Sequence, residues 1–292
     1  MKRAERPIRL ITLCLVILVC VVTAVPGPTQ GQHPSKELSL RPPLGSRSRS
    51  LGYPWEGRLV RGMQLRESRY VRYVPEYAAA GRFYGTWQLV QLLERAARRV
   101  ALRLPGSRLS VGELSSKEGG DVVGHRSHES GRDADVGFFM TRADGRPYAG
   151  RSFAQFDAQG RGLPPHPGLV FDDARNWELV AKLVDDADAR VQYIFVAHDI
   201  KQRLLREAAR RNAPAELVSR AAAVLVEPAH GNPHRSHFHV RIYCSPADRS
   251  VCLDVGPYWA WYPGALPAAR ATTANARTLR VALGGGTHVA TD

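Results

Sequence analysis

Cysteine is scarce in this chain. Of the four present, Cys14 and Cys20 fall in an apolar N-terminal segment, so only Cys244 and Cys252 serve the remainder. Dense disulfide stapling is excluded, and packing has to hold the fold together. Long apolar runs are lacking too. Past residue 31 no stretch is long and apolar enough to span a bilayer, so the mature chain is expected to be soluble or peripheral, with no membrane span. No internal repeat occurs, and no nucleic-acid recognition motif accompanies the formal charge of +14. That charge is generic. It raises the encounter rate with an anionic surface without specifying one.

The N-terminal segment has a definite pattern. Lys2, Arg3, Arg6 and Arg9 form a basic start, residues 10–22 are apolar, and Val22-Thr23-Ala24 ends in a small residue. This is the pattern of an export signal over residues 1–31. Export to the periplasm is the expectation and argues against a nucleic-acid partner. A lipoprotein anchored at Cys20, an uncleaved anchor and a secreted form are the other readings. Residues 32–49 are rich in Pro, Ser, Gly and Arg and read as a linker. Residues 50–263 form the expected folded domain, and residues 264–292 lack firm periodicity and read as a flexible tail. In an oxidising compartment the even pair Cys244 and Cys252 is expected to be disulfide-bonded, two free thiols being the alternative.

Within the domain, residues 50–65 suggest a short hairpin. Residues 87–104 form the clearest helix. Trp87, Val90, Leu93, Ala97, Val100 and Leu104 share a face, Thr86 caps its start and Pro105-Gly106 ends it. Strands are expected at 108–114, 136–140 and 191–196. Helices are expected at 176–184, capped by Asn176, and at 199–211, with Ile200, Leu204, Leu205 and Ala208 inward. A further helix is expected at 214–223. Tyr258, Trp259, Trp261 and Tyr262 suggest either core packing or a sugar-stacking lip.

Half of the ten histidines lie in two short pieces: His125 and His128 in DVVGHRSHESGRDADVGFF (121–139), and His234, His237 and His239 in PHRSHFHVRIYC (233–244). In an extended strand His237, His239 and Arg241 point to one face and Phe238, Val240 and Ile242 to the other. A helix would send His237 and His239 nearly opposite ways. Catalytic zinc uses three protein ligands from imidazole and carboxylate groups and leaves one position open. His128, Asp135 and His239 make such a set, with Gly131 allowing a tight turn between the first two. Purely structural histidines are the bland alternative. His33, His166, His198, His230 and His288 lack such company and read as ordinary surface or loop residues.

HRSHESGRDAD followed by HRSHFHVRI resembles the penicillin-insensitive murein endopeptidases, within the lysostaphin, D-Ala-D-Ala and sonic-hedgehog-like zinc metallopeptidases. The shared pattern is a histidine, six residues, an aspartate, then a distal His-x-His. The resemblance covers roughly residues 46–252. It implies that His128, Asp135 and His239 hold zinc, that His237 is the catalytic histidine, and that His125 and His234 are further histidines of the site. It implies an α+β fold with a small, mainly antiparallel sheet carrying the ligands beside flanking helices. It also implies a cysteine pair after the second motif, while the family's other cysteine pairs have no counterpart here.

The function so implied is a zinc metallopeptidase that hydrolyses D-alanyl-meso-diaminopimelate cross-links in peptidoglycan. Another cell-wall D-Ala-D-Ala dipeptidase or carboxypeptidase is one alternative. A zinc-containing, non-catalytic wall-binding protein is the other.

Overall fold

The computed structural model describes residues 47–262. The chain divides into two units, Met1–Arg41 and Pro42–Asp292, and every described residue belongs to the second. The export segment, most of the linker and the tail lie outside the described residues, as do His33 and His288. The chain opens with a hairpin of β1 (Arg49–Tyr53) and β2 (Glu56–Val60), then β3 (Met63–Gln64), β4 (Val71–Tyr73), the short α1 (Pro75–Ala78) and β5 (Tyr84–Gly85). Next come α2 (Trp87–Arg103), β6 (Leu109–Val111), β7 (Asp133–Gly137), β8 (Met140–Arg142) and β9 (Leu169–Phe171). The C-terminal half holds α3 (Asp173–Val184), β10 (Val191–Phe195), α4 (His198–Arg210), α5 (Ala215–Val224), β11 (Leu225–Val226) and β12 (His237–Ile242).

A six-stranded sheet in the order β11-β10-β12-β7-β6-β4 is the frame of the molecule. Its three inner pairings are antiparallel and its two edge pairings are parallel. The α+β architecture is therefore as expected. Register explains why the sheet can be greasy on one face and polar on the other. β12 and β7 pair His237 with Gly137, Phe238 with Val136, His239 with Asp135, Val240 with Ala134 and Arg241 with Asp133. Strand alternation then sends Phe238, Val240, Ala134 and Val136 into the core, where all four are fully buried. The opposite face receives two histidines, two aspartates and Arg241.

Helix α2 begins where expected, with the Thr86 hydroxyl accepting from Leu89 N at 3.4 Å. Its buried arc is broader than the expected stripe: Leu89, Leu92 and Ala96 join Val90, Leu93, Ala97 and Val100. Its arginines face α3, with Arg99 Nε 3.1 Å from Glu178 Oε1 and Arg95 bound to Asp186.

Two expected boundaries move. The strand set at 136–140 begins earlier, at Asp133, because backbone pairing with β12 runs through both aspartates. Helix α3 starts at Asp173, and its cap is Asp172, whose Oδ1 accepts from Arg175 N at 3.0 Å. Asn176 is inside the helix and buried. Its amide answers both backbone groups of Phe139, at 2.9 and 2.7 Å, and so fastens the chain leaving β7. On α4, Ile200, Leu204 and Ala208 are buried as expected, and the fourth buried position is Glu207 instead of Leu205. The carboxylate is tolerated there because Arg210 and Arg211 hold it.

Cys244 and Cys252 are disulfide-bonded, with Cα atoms 5.8 Å apart. Just after the loop they close, Asp254 Oδ1 and Leu253 O accept from Arg132, a buried guanidinium, at 2.6 and 2.9 Å. Trp259 packs rather than forming a lip: its Nε1 donates to Gln192 O at 2.8 Å and its ring stacks on Trp261.

Candidate metal centre

His128 and Asp135 reach the polar face of the sheet by different means. Asp135 is carried by β7 itself. His128 comes from a loop without regular structure and adopts a left-handed φ of 77°, unusual for a residue with a side chain. Ser115 holds that loop. Its hydroxyl donates to His128 O and accepts from Gly131 N at 2.9 Å. Gly131 has a φ of 73°, and a Cβ there would meet Leu59 at 2.6 Å, so the turn requires glycine.

One Asp135 oxygen is the point of convergence. His128 Nε2 lies 3.5 Å from Oδ1, His239 Nδ1 3.4 Å and His237 Nε2 3.5 Å. His125 Nδ1 lies 3.6 Å from the other oxygen, Oδ2. Ligand-capable atoms of His125, His128 and Asp135 all fall within 4.8 Å of one another. Two atoms at this point, His128 Nε2 and Asp135 Oδ1, are buried with no hydrogen-bond partner. Buried polar atoms are rarely left so, and a place made to hold an ion is one of the ordinary reasons.

The far side of each ring fixes which nitrogen is free. His128 Nδ1 lies 2.7 Å from Leu114 O, so the carbonyl accepts its hydrogen and Nε2 keeps a lone pair. His239 Nε2 lies 2.7 Å from Asp133 Oδ1, so Nδ1 is the free nitrogen. Asp133 also accepts from Arg241 Nε at 2.6 Å. An acceptor behind each imidazole is the outer shell that metal-binding histidines carry. The residues present therefore fit a metal cation.

Electrostatics agree. Burial pushes the Asp133 and Asp135 carboxyls up, but Arg241 beside the first and His128 and His237 beside the second outweigh it, so both sit well below the usual carboxylate range. Burial lowers His237 to about 4 and His234 to about 3, with neighbouring imidazoles adding to the effect. His239 is lowered by burial as well. His128 moves the other way, because the adjoining Asp135 overcomes its burial.

The five clustered histidines, His125, His128, His234, His237 and His239, come together here. His237 is stacked on Phe153, with ring centroids 4.8 Å apart, and its Nδ1 lies 3.0 Å from Ser236 Oγ. His234 packs against His237 and His239 at 5.0 and 5.4 Å. A cleft of about 740 Å³ opens over the cluster, with Trp55, Tyr77, Arg82 and His230 among its walls. His230, expected to be an ordinary surface or loop residue, is exposed in a loop and also lines the cleft. Asp133 and Glu113 were not singled out from the sequence. Alternation in Asp-Ala-Asp-Val was a usable signal for the first. Glu113, which lies 2.6 Å from His125 Nε2, had none.

A histidine and aspartate cluster with backed imidazoles, set on the antiparallel inner strands of a mixed sheet, defines an α+β protein with a candidate metal centre. The sequence pattern of the family described as penicillin-insensitive murein endopeptidase matches residues 72–259. The chain belongs to that family. It is 33% identical over 188 residues to the penicillin-insensitive murein endopeptidase of Haemophilus influenzae, covering 60% of this chain and 57% of the relative. It is 30% identical over 183 residues to the protein of that name from Yersinia enterocolitica, covering 59% and 58%. The match thus spans somewhat more than half the length of these curated relatives.

Proposed function

We propose that this chain is a zinc peptidase that hydrolyses peptide cross-links of bacterial peptidoglycan between D-alanine and meso-diaminopimelate. One observation carries the reading: buried, partnerless His128 Nε2 and Asp135 Oδ1 face the same point as His239 Nδ1. The family and the names of its two relatives supply the substrate class. Imidazole and carboxylate donors suit zinc. Held by His128, Asp135 and His239, zinc would polarise the scissile carbonyl and lower the pKa of water.

The chain's own groups supply the proton traffic. His237 is buried, kept neutral near pH 7, and turns Nε2 toward Asp135. It accepts a proton as water attacks and returns it to the leaving amine. Stacking on Phe153 holds that ring in place. His125 and His234 flank the same point and assist in orienting the reacting groups. No serine nucleophile is needed, so β-lactams have nothing to acylate.

Residues 1–31 act as the export signal, residues 32–49 as a linker and residues 264–292 as a tail, which delivers the domain to the periplasm. No helix among the described residues is long and apolar enough to cross a membrane. A strongly basic chain meets the anionic wall readily.

The test is incubation of the purified protein with sacculi, with and without a chelator, followed by product analysis. Chelator-sensitive loss of cross-linked dimers is expected. Cleavage confined to linear D-Ala-D-Ala ends, or none at all, would overturn the reading.

A further inference from the structure

We infer that Glu113, clamped by Arg82, is a positioning residue that fixes the His125 ring with Nδ1 turned toward the metal site. The inference rests on the peptidase reading above for its consequence in turnover, but not for its geometry.

Glu113 is 2% exposed although it lies beside an open cleft. Its two oxygens are divided between two partners. Oε1 accepts from Arg82 through Nε, at 2.6 Å, and through Nη2. Oε2 lies 2.6 Å from His125 Nε2. An ionised carboxylate can only accept, so His125 Nε2 carries the hydrogen. A ring carrying its one hydrogen on Nε2 has its lone pair on Nδ1, the atom 3.6 Å from Asp135 Oδ2.

Backbone geometry ties this arrangement to the metal site. Asp135 N donates to Glu113 O at 2.8 Å, and Gly112 N donates to Asp135 O at 2.9 Å. The carboxylate that orients His125 and the strand that carries Asp135 are thus fixed to each other directly. His125 itself lies in a loop without regular structure, whose backbone is held locally by His125 N donating to Val122 O at 3.0 Å. Side-chain support from Glu113 supplies the precision that such a loop lacks. Arg82 completes the clamp. A carboxylate with one oxygen taken twice by a guanidinium cannot rotate away from the ring.

Glu113→Gln separates positioning from packing, because the amide has the same shape. Its oxygen stays with Arg82 and its NH2 faces His125, which forces Nε2 to accept and moves the ring hydrogen to Nδ1. Long-range proton–nitrogen NMR on the metal-free protein, with the His125 signals assigned by a His125→Ala variant, reads this directly. Hydrogen on Nε2 in the wild type and on Nδ1 in Glu113→Gln is expected. In the zinc-loaded protein kcat on cross-linked muropeptides should fall about 10- to 100-fold, with KM nearly unchanged. A wild-type hydrogen on Nδ1, or a Glu113→Gln variant with wild-type kcat, overturns the proposal and leaves the peptidase reading intact. If the wild type hydrolyses nothing, the peptidase reading fails, while the NMR result still decides the role of Glu113. Should Glu113→Gln not fold, the wild-type spectrum alone keeps the decision.

Discussion

Asp133 Oδ1 lies 2.7 Å from His239 Nε2, and this contact decides which nitrogen of His239 is free. Both residues sit on one face of adjacent strands, Asp133 two positions before Asp135 and His239 opposite Asp135. The strand pair therefore provides Asp135 and the group that orients His239 by alternation alone. Replacing Asp133 by Ala should lower metal affinity by about 10- to 100-fold. Chelator competition measures it. Wild-type affinity in that variant would mean that the ring is held by packing instead.

The buried Arg132 joins the turn before β7 to Asp254, which follows the disulfide loop and accepts from Cys244 N. Removing one partner of a buried ion pair strands the other charge, at a cost of about 3–5 kcal/mol. Arg132→Ala should lose that much stability in denaturant unfolding. A loss smaller than about 1 kcal/mol would show that the pair behaves as an exposed one.

The Cys244–Cys252 bond closes a short loop. Chain-entropy reasoning gives such a cross-link about 2–3 kcal/mol. Replacing both cysteines with serine should lower Tm accordingly while zinc binding survives, because neither cysteine is among His128, Asp135 and His239. Loss of zinc in that variant would show that the loop supports the centre more closely than its position suggests.

Acid should destabilise the metal-free protein. His237 is lowered to about 4 when folded, against an ordinary value of 6.5. Between those values the unfolded chain binds a proton that the folded one does not. The stabilisation is thus complete above about pH 6.5 and is lost as pH falls toward about 4. His234 acts with the same sign down to about 3. Thermal unfolding of the metal-free protein at several pH values tests this, and a Tm that rises on acidification would contradict it.

Much of this arrangement could be read from the residues. The His-x-His strand declared its two faces, since Phe238, Val240 and Ile242 alternate with the polar set. Helix α2 declared its cap and its stripe. The misplaced start of α3 has a plain cause: Asp172 and Asn176 are both good caps, and only the fold shows that Asn176 is engaged with Phe139. The link from Glu113 to His125 depends on a loop folding back over β6, and no spacing in sequence encodes that.

Zinc content measured beside turnover in matched variants separates the histidines expected to hold metal from the one expected to move protons. Purified His128→Ala, His239→Ala and His237→Ala would be analysed for bound zinc and for cleavage of cross-linked muropeptides. The first two should lose metal and activity together, while His237→Ala should keep its zinc and lose about 10²- to 10⁴-fold in rate. A His237→Ala protein without zinc, or a His239→Ala protein that retains it, would contradict the account.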